Sequence, residues 1–278
     1  MNPKLVAKIE SEEPKLRLAV LIDADNISAD VVEGLLTEIA SFGEATVKRI
    51  YGDFTTQTSS KWKQCLNRYA IKPVQQFAYT TGKNATDSTL IIDAMDLLYT
   101  KRFDGFCLVS SDSDFTGLAT RIREEGLLVL GFGEKKTPEA FRNACHKFIL
   151  TEILKAVASQ NNISAMSPGK AEEAKTSKQM AAIPLVEKSN SVEQGADNKE
   201  LPLGFILEAL ARSYDDTGWA NLANFGSFLT KIKPDFDARI YGFKKLSDLV
   251  KQRKDVFEIE ERSSKDLSTK ILYLREKK

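Results

Sequence analysis

The sequence predicts an α/β protein in two parts: a parallel sheet with helices on both faces, then a small winged-helix-like α+β domain. Three observations carry this. The runs LRLAVLID (16–23), GFCLVS (105–110) and LLVLGF (127–132) are almost wholly apolar and are separated by helix-spaced segments. Such strands are buried on both faces, as strands of a parallel sheet are. Residues 156–200 then lose every aromatic residue and any apolar period. From Leu201 onward, helical patterns end in two β-rich runs, the outline of a winged helix.

The elements follow in order. Leu16–Asp23 is a strand, Val31–Ala40 a helix, Ala45–Tyr51 a strand, Ser60–Ala70 a helix and Ile71–Tyr79 an extended run. Ser88–Tyr99 is amphipathic, with Leu90, Ile91, Ala94, Leu97 and Leu98 on one face. Gly105–Ser110 is a strand, Asp114–Glu125 a helix and Leu127–Phe132 a strand. In the second part, Leu203–Ser213, Phe225–Lys233 and Leu246–Lys251 read as helices, and Phe257–Glu261 and Lys270–Leu274 as strands. The domain division is therefore 14–155, a flexible linker over 156–200 that is too polar to offset its ordering entropy, and 201–278.

Composition narrows the function. With 278 residues, 42% hydrophobic and 28% charged, the chain can bury a sizeable core. A net charge of +1 gives no global basic field, so a nucleic-acid site must come from local clustering. No run of about 20 apolar residues exists to cross a membrane, and the charged opening MNPKLVAKIESEEPK does not read as a signal peptide. Cys65, Cys107 and Cys145 are odd in number and widely spaced; they fit reduced, buried thiols and a cytoplasmic location rather than disulfides or a zinc site. The single histidine, His146, lies well past the acidic motifs, which argues against two-histidine RNase chemistry and a Ser-His-Asp triad. Neither GxGxxG nor GxxxxGK[ST] occurs, so nucleotide-cofactor readings weaken.

The aspartates are the informative feature. Asp23 and Asp25 end the first strand, and Asp112 and Asp114 follow GFCLVS. With strand order 3-2-1-4-5 these strands are neighbours where the order reverses, and sites in open α/β sheets lie beyond the carboxyl ends there. Asp87, opening the amphipathic helix, is placed to join them. Converging carboxylates repel, and a hard divalent ion, Mg²⁺ or Mn²⁺, relieves that repulsion and supports phosphoryl chemistry. Each Asp also makes a good helix cap, so the constellation, and not any single residue, carries the argument. Asp93 and Asp96 read as solvated, and Asp53 is unassigned. Lys83, in the loop before Asp87, is the basic residue expected to touch a phosphate; Lys135, Lys136, Arg121 and Arg123 read as surface. Asn26, Ser110 and Ser111 could hydrogen-bond the carboxylates or a phosphate.

LIDADN (21–26), GKNATDSTLIIDAM (82–95) and LVSSDSDFTGLATRIREEG (108–126) together resemble the NYN domain family of PIN-like nucleases. The resemblance implies a Rossmann-like sheet and a metal-dependent ribonuclease, an endonuclease, with Asp23, Asp87, Asp112 and Asp114 as catalytic and metal-site acids and Asn26 as the first-motif asparagine. Asp25 stands where many members carry another residue, so no ligand role is implied for it. Residues 218–261, above all YGFKKLSDLV, resemble the OST-HTH or LOTUS domain, which implies RNA binding. Residues 201–278 hold 15 Lys and Arg against 12 Asp and Glu, with Lys244 and Lys245 in the basic run expected to meet RNA. Tyr241 or Phe243 could stack bases, although Phe243, Leu246 and Leu249 fit a core better. The rival reading is a non-catalytic RNA-binding regulator that retains the nuclease fold. A homo-oligomer, and a protein partner for the C-terminal module, are compatible with either.

Overall fold

The computed structural model describes residues 15–55, 60–77, 85–155, 201–263 and 270–277. The linker expected over 156–200, and Lys83, lie outside these residues.

The N-terminal part is a six-stranded, all-parallel sheet: β1 (Arg17–Asp23), β2 (Glu44–Gly52), β3 (Lys72–Gln75), β4 (Gly105–Val109), β5 (Leu128–Gly133) and β6 (Lys147–Leu150), in the order β3-β2-β1-β4-β5-β6. The expected order is present, extended by β6, a four-residue strand that the sequence reading did not pick out. Its run KFIL is too short to show a period.

The helices are α1 (Val32–Ala40), α2 (Ser60–Arg68), α3 (Ala85–Tyr99), α4 (Thr116–Glu124) and α5 (Glu139–Ala144). Period-two alternation splits each central strand between two cores. Leu18, Val20 and Ile22 of β1 face one side with Val32, Leu35, Ile39 and Trp62. Ala19 and Leu21 face the other, with Leu90, Ala94, Leu97 and Leu98 of α3 and Leu118 and Ile122 of α4. This double burial is why these strands read as unbroken apolar runs. Because α1 and α2 cover one face and α3 to α5 the other, the chain changes sides between β3 and β4. The crevice at the carboxyl ends of β1 and β4 is therefore the switch point of the sheet.

The C-terminal part packs α6 (Leu203–Ala211), α7 (Leu222–Ile232) and α8 (Leu246–Gln252) on an antiparallel sheet of β7 (Ala220–Asn221), β8 (Phe257–Ser263) and β9 (Lys270–Glu276), ordered β7-β9-β8. Its core holds Ile206, Leu210, Phe225, Leu229, Leu249, Phe257 and Leu274. Tyr241, Phe243 and Leu246 pack against that core, so Tyr241 and Phe243 help to close the fold rather than standing free as stacking platforms.

The two parts meet at the amino edge of the large sheet. The Phe148 N–H of β6 donates to the Pro234 carbonyl at 2.9 Å, which covers part of an exposed strand edge. Arg142 pairs with Asp235 at 2.6 Å. Arg239 donates to both Glu38 oxygens, at 2.8 and 3.0 Å, and to Asp237 at 2.7 Å. Ile240 packs on the core beneath α3 and α4.

Candidate active site

Asp23 is the last residue of β1 and is fully buried. Its carboxylate accepts from the Ser110 hydroxyl at 2.7 Å, the Asn26 side-chain amide at 2.7 Å and the Asp25 N–H at 3.0 Å. Burial pushes its pKa up, and these three donors oppose the shift. Ser110, just past β4, also accepts from the Asp112 N–H at 3.1 Å. One hydroxyl thereby links the ends of the two switch-point strands. Asp112 caps the 3₁₀ turn Ser113–Phe115, accepting from the Asp114 N–H at 2.9 Å. That cap uses one of its oxygens.

Asp25 accepts from Thr86 at 3.0 Å and so ties the β1 loop to the first turn of α3. Gly52 makes room for that loop: a β-carbon at Gly52 would lie 2.9 Å from the Ala24 Cβ, inside van der Waals contact. The tie places Asp87 over the crevice. Carboxylate oxygens of Asp87, Asp112 and Asp114 lie within 4.8 Å of one another. The Asp87 pKa is raised to about 6, first by burial and then by repulsion from Asp23, Asp112, Asp114 and Asp25.

Of the expected acids, the structure thus gathers Asp87, Asp112 and Asp114 into one cluster and sets Asp23 directly behind it, with its oxygens committed to protein donors. Asn26 donates to Asp23, so its amide is engaged within the site. Ser111 is almost buried and accepts from the Glu134 N–H at 2.9 Å, holding the β4 and β5 ends together. Lys244 and Lys245 are exposed and lie far from this crevice, beside α8. Lys136 pairs with Glu134 at 2.8 Å, Arg121 with Glu125 at 2.5 Å, and Arg123 donates to the carbonyls of Asn143 and Ala144.

One assignment changes, and two residues left without a role gain one. Asp93 is not simply solvated: it accepts from Arg49 and from the Tyr51 hydroxyl, anchoring α3 to β2 beside the register partner of Asp23. Asp53, left unassigned, accepts from Thr55 and from Gln75 at 2.8 Å and shapes the turn after β2. His146 accepts from the Val129 N–H at 3.0 Å, a structural duty on the amino edge. Sequence reasoning missed Thr86. Its only signal is adjacency to Asp87.

The family comparison bears directly on this crevice. The NYN domain model matches residues 17–155, half of the chain, and so includes all four acids. The chain belongs to the NYN domain family. The OST-HTH/LOTUS domain model matches residues 202–269, which makes the second part an OST-HTH domain. Among solved structures, an uncharacterized protein of Nitrosomonas europaea is 46% identical, with 38% of this chain and 92% of that one covered and a TM-score of 0.28. A protein of unknown function from Vibrio parahaemolyticus is 18% identical, with 50% and 95% covered and a TM-score of 0.42. No curated protein matches. The NYN domain has a nuclease-like fold, and no helix among the described residues is long and apolar enough to cross a membrane.

Chemically, the crevice fits a divalent cation. Among the described residues it offers three carboxylates within reach of one ion, and burial together with the neighbouring acids raises the Asp87 pKa. Mg²⁺ and Mn²⁺ favour such a donor set with retained waters.

Proposed function

We propose that this NYN-domain protein is a metal-dependent ribonuclease that cuts RNA internally, with the RNA bound in part by its OST-HTH domain. The observation that carries this reading is the cluster of Asp87, Asp112 and Asp114 at the switch point. In this reading those three carboxylates hold Mg²⁺ or Mn²⁺. Asp23, buried behind them and held by Ser110, Asn26 and the Asp25 N–H, orients the Asp112 loop through Ser110 and adds negative potential. A divalent ion there would supply charge stabilisation at the phosphoryl group and activation of water. Asp114, the most exposed of the three, faces solvent where a substrate strand would enter. Lys83, Asn26 and Ser111 are the residues proposed on the RNA path at this edge, and Lys244 and Lys245 those on the OST-HTH domain.

The test is to incubate the purified chain with a mixed RNA pool in Mn²⁺, Mg²⁺ or EDTA. Internal cleavage in the metal arms that EDTA abolishes is the expected result. Tight RNA binding without cleavage in any arm would replace the nuclease by a non-catalytic RNA-binding regulator.

A further inference from the structure

A cleft of about 600 Å³ opens where the two domains meet. Its walls include Ser41 at the end of α1, Lys147 at the start of β6, Thr230 of α7, and Lys244 and Lys245 before α8. Its acids are already neutralised. Glu38 and Asp237 both pair with Arg239, whose guanidinium they hold well above its ordinary pKa. The three lysines are not neutralised: among the described residues, no carboxylate is in ion-pair contact with any of them. The Lys147 ammonium rests 5.0 Å from the Phe42 ring centroid, which fixes its stem against the cleft wall.

Three ammonium groups contributed by two domains, with no carboxylate ion-paired to any of them among the described residues, suit a ligand carrying repeated single negative charges. A concave groove of basic side chains tracks the flexible backbone of a single strand. We propose that this inter-domain cleft is a composite site for the phosphodiester backbone of single-stranded RNA, built by Lys147 of the NYN domain with Lys244 and Lys245 of the OST-HTH domain. The identity of the polymer rests on the ribonuclease reading, but binding in the cleft does not require cleavage.

The placement has a geometric consequence. The cleft lies at the amino edge of the sheet, and the acids lie at its carboxyl edge. A strand of five to seven residues separates the edges, ~20 Å. RNA held in the cleft must therefore run several nucleotides along the domain before reaching Asp87, Asp112 and Asp114.

The test is fluorescence anisotropy of a labelled 20-nucleotide single-stranded RNA with the full chain in EDTA, so that hydrolysis plays no part. Lys147→Gln, which keeps much of the stem over Phe42, should weaken binding about threefold to tenfold with an unchanged melting temperature. Combining it with Lys244→Gln and Lys245→Gln should make the slope of log K against log salt shallower by about 2. Wild-type affinity in Lys147→Gln overturns the composite site, even if the two OST-HTH lysines matter. An acidic peptide that displaces the RNA at equal concentration also overturns it, in favour of a protein partner. The two readings fail separately. A protein that cleaves RNA in Mn²⁺ with no dependence on Lys147 loses the cleft alone, and one that binds through Lys147 without cleaving loses the nuclease alone.

Discussion

The two edges of the large sheet handle charge in opposite ways. At the amino edge the arginines meet carboxylates, half-buried in Arg142 with Asp235 and Arg239 with Glu38 and Asp237, and exposed in Arg17 with Asp104; the cleft residues Lys147, Lys244 and Lys245 have no ion-pair partner there among the described residues. At the carboxyl edge Asp23, Asp87, Asp112 and Asp114 crowd together, and burial, with repulsion from the neighbouring acids, raises the Asp87 pKa to about 6. Matched charge holds surfaces together. Like charge crowded at a switch point suits a cationic ligand. The sheet therefore carries a docking surface at one edge and a candidate active site at the other.

The contrast can be broken from either edge. The largest expected effect is on activity. Asp112→Asn should lower metal-dependent cleavage about 100-fold or more, ~3 kcal/mol of barrier, and leave the fold intact, since asparagine caps the Ser113–Phe115 turn about as well. A variant that cuts RNA at the wild-type rate in Mn²⁺ would remove Asp112 from the site.

At the amino edge, Arg239→Ala leaves Glu38 and Asp237 facing each other without a cation. Their side chains are only 16% and 12% exposed, so about 2 kcal/mol of inter-domain docking should be lost. Small-angle scattering should show a larger radius of gyration. An unchanged scattering curve would mean that Arg142–Asp235 and the Phe148–Pro234 hydrogen bond suffice.

A smaller effect has the opposite sign. In EDTA, Asp87→Asn should stabilise the protein at pH 7.5 by about 1–2 kcal/mol, after discounting for partial exposure. The folded-state pKa of about 6 lies above the ordinary value of 3.8, so the charged form is penalised in the fold. That penalty is full above pH 6 and absent below about pH 4, where both states are protonated. The gain should shrink on acidification across that window, as thermal melts at several pH values would reveal. A gain independent of pH would point to packing instead of charge.

The smallest effect belongs to Arg17→Ala. Its pair with Asp104 is 52% and 37% exposed, and about 0.5 kcal/mol or less is expected. A loss above 1 kcal/mol in a denaturant titration would show that the amino edge depends on exposed pairs as well.

Much of this was legible in the chain itself. Strands buried on both faces cannot alternate, so LRLAVLID, GFCLVS and LLVLGF declared a parallel sheet, and acids at their carboxyl ends then fell at the switch point by topology alone. Other features needed the third dimension. Asp93 sits on the polar side of α3 by spacing, yet β2 brings Arg49 and Tyr51 against it. Asp23 and Asp112 look alike in sequence, but three protein donors engage the first while the second stands in the cluster. The contact of Arg239 with Glu38 joins residues about 200 positions apart. Local sequence determined which segments are strands and where acids end them, because period and burial are local consequences of side-chain chemistry. Only the tertiary structure decided which carboxylates are satisfied, which face an opening and which cation meets which anion, because each depends on distances between segments that no local pattern encodes.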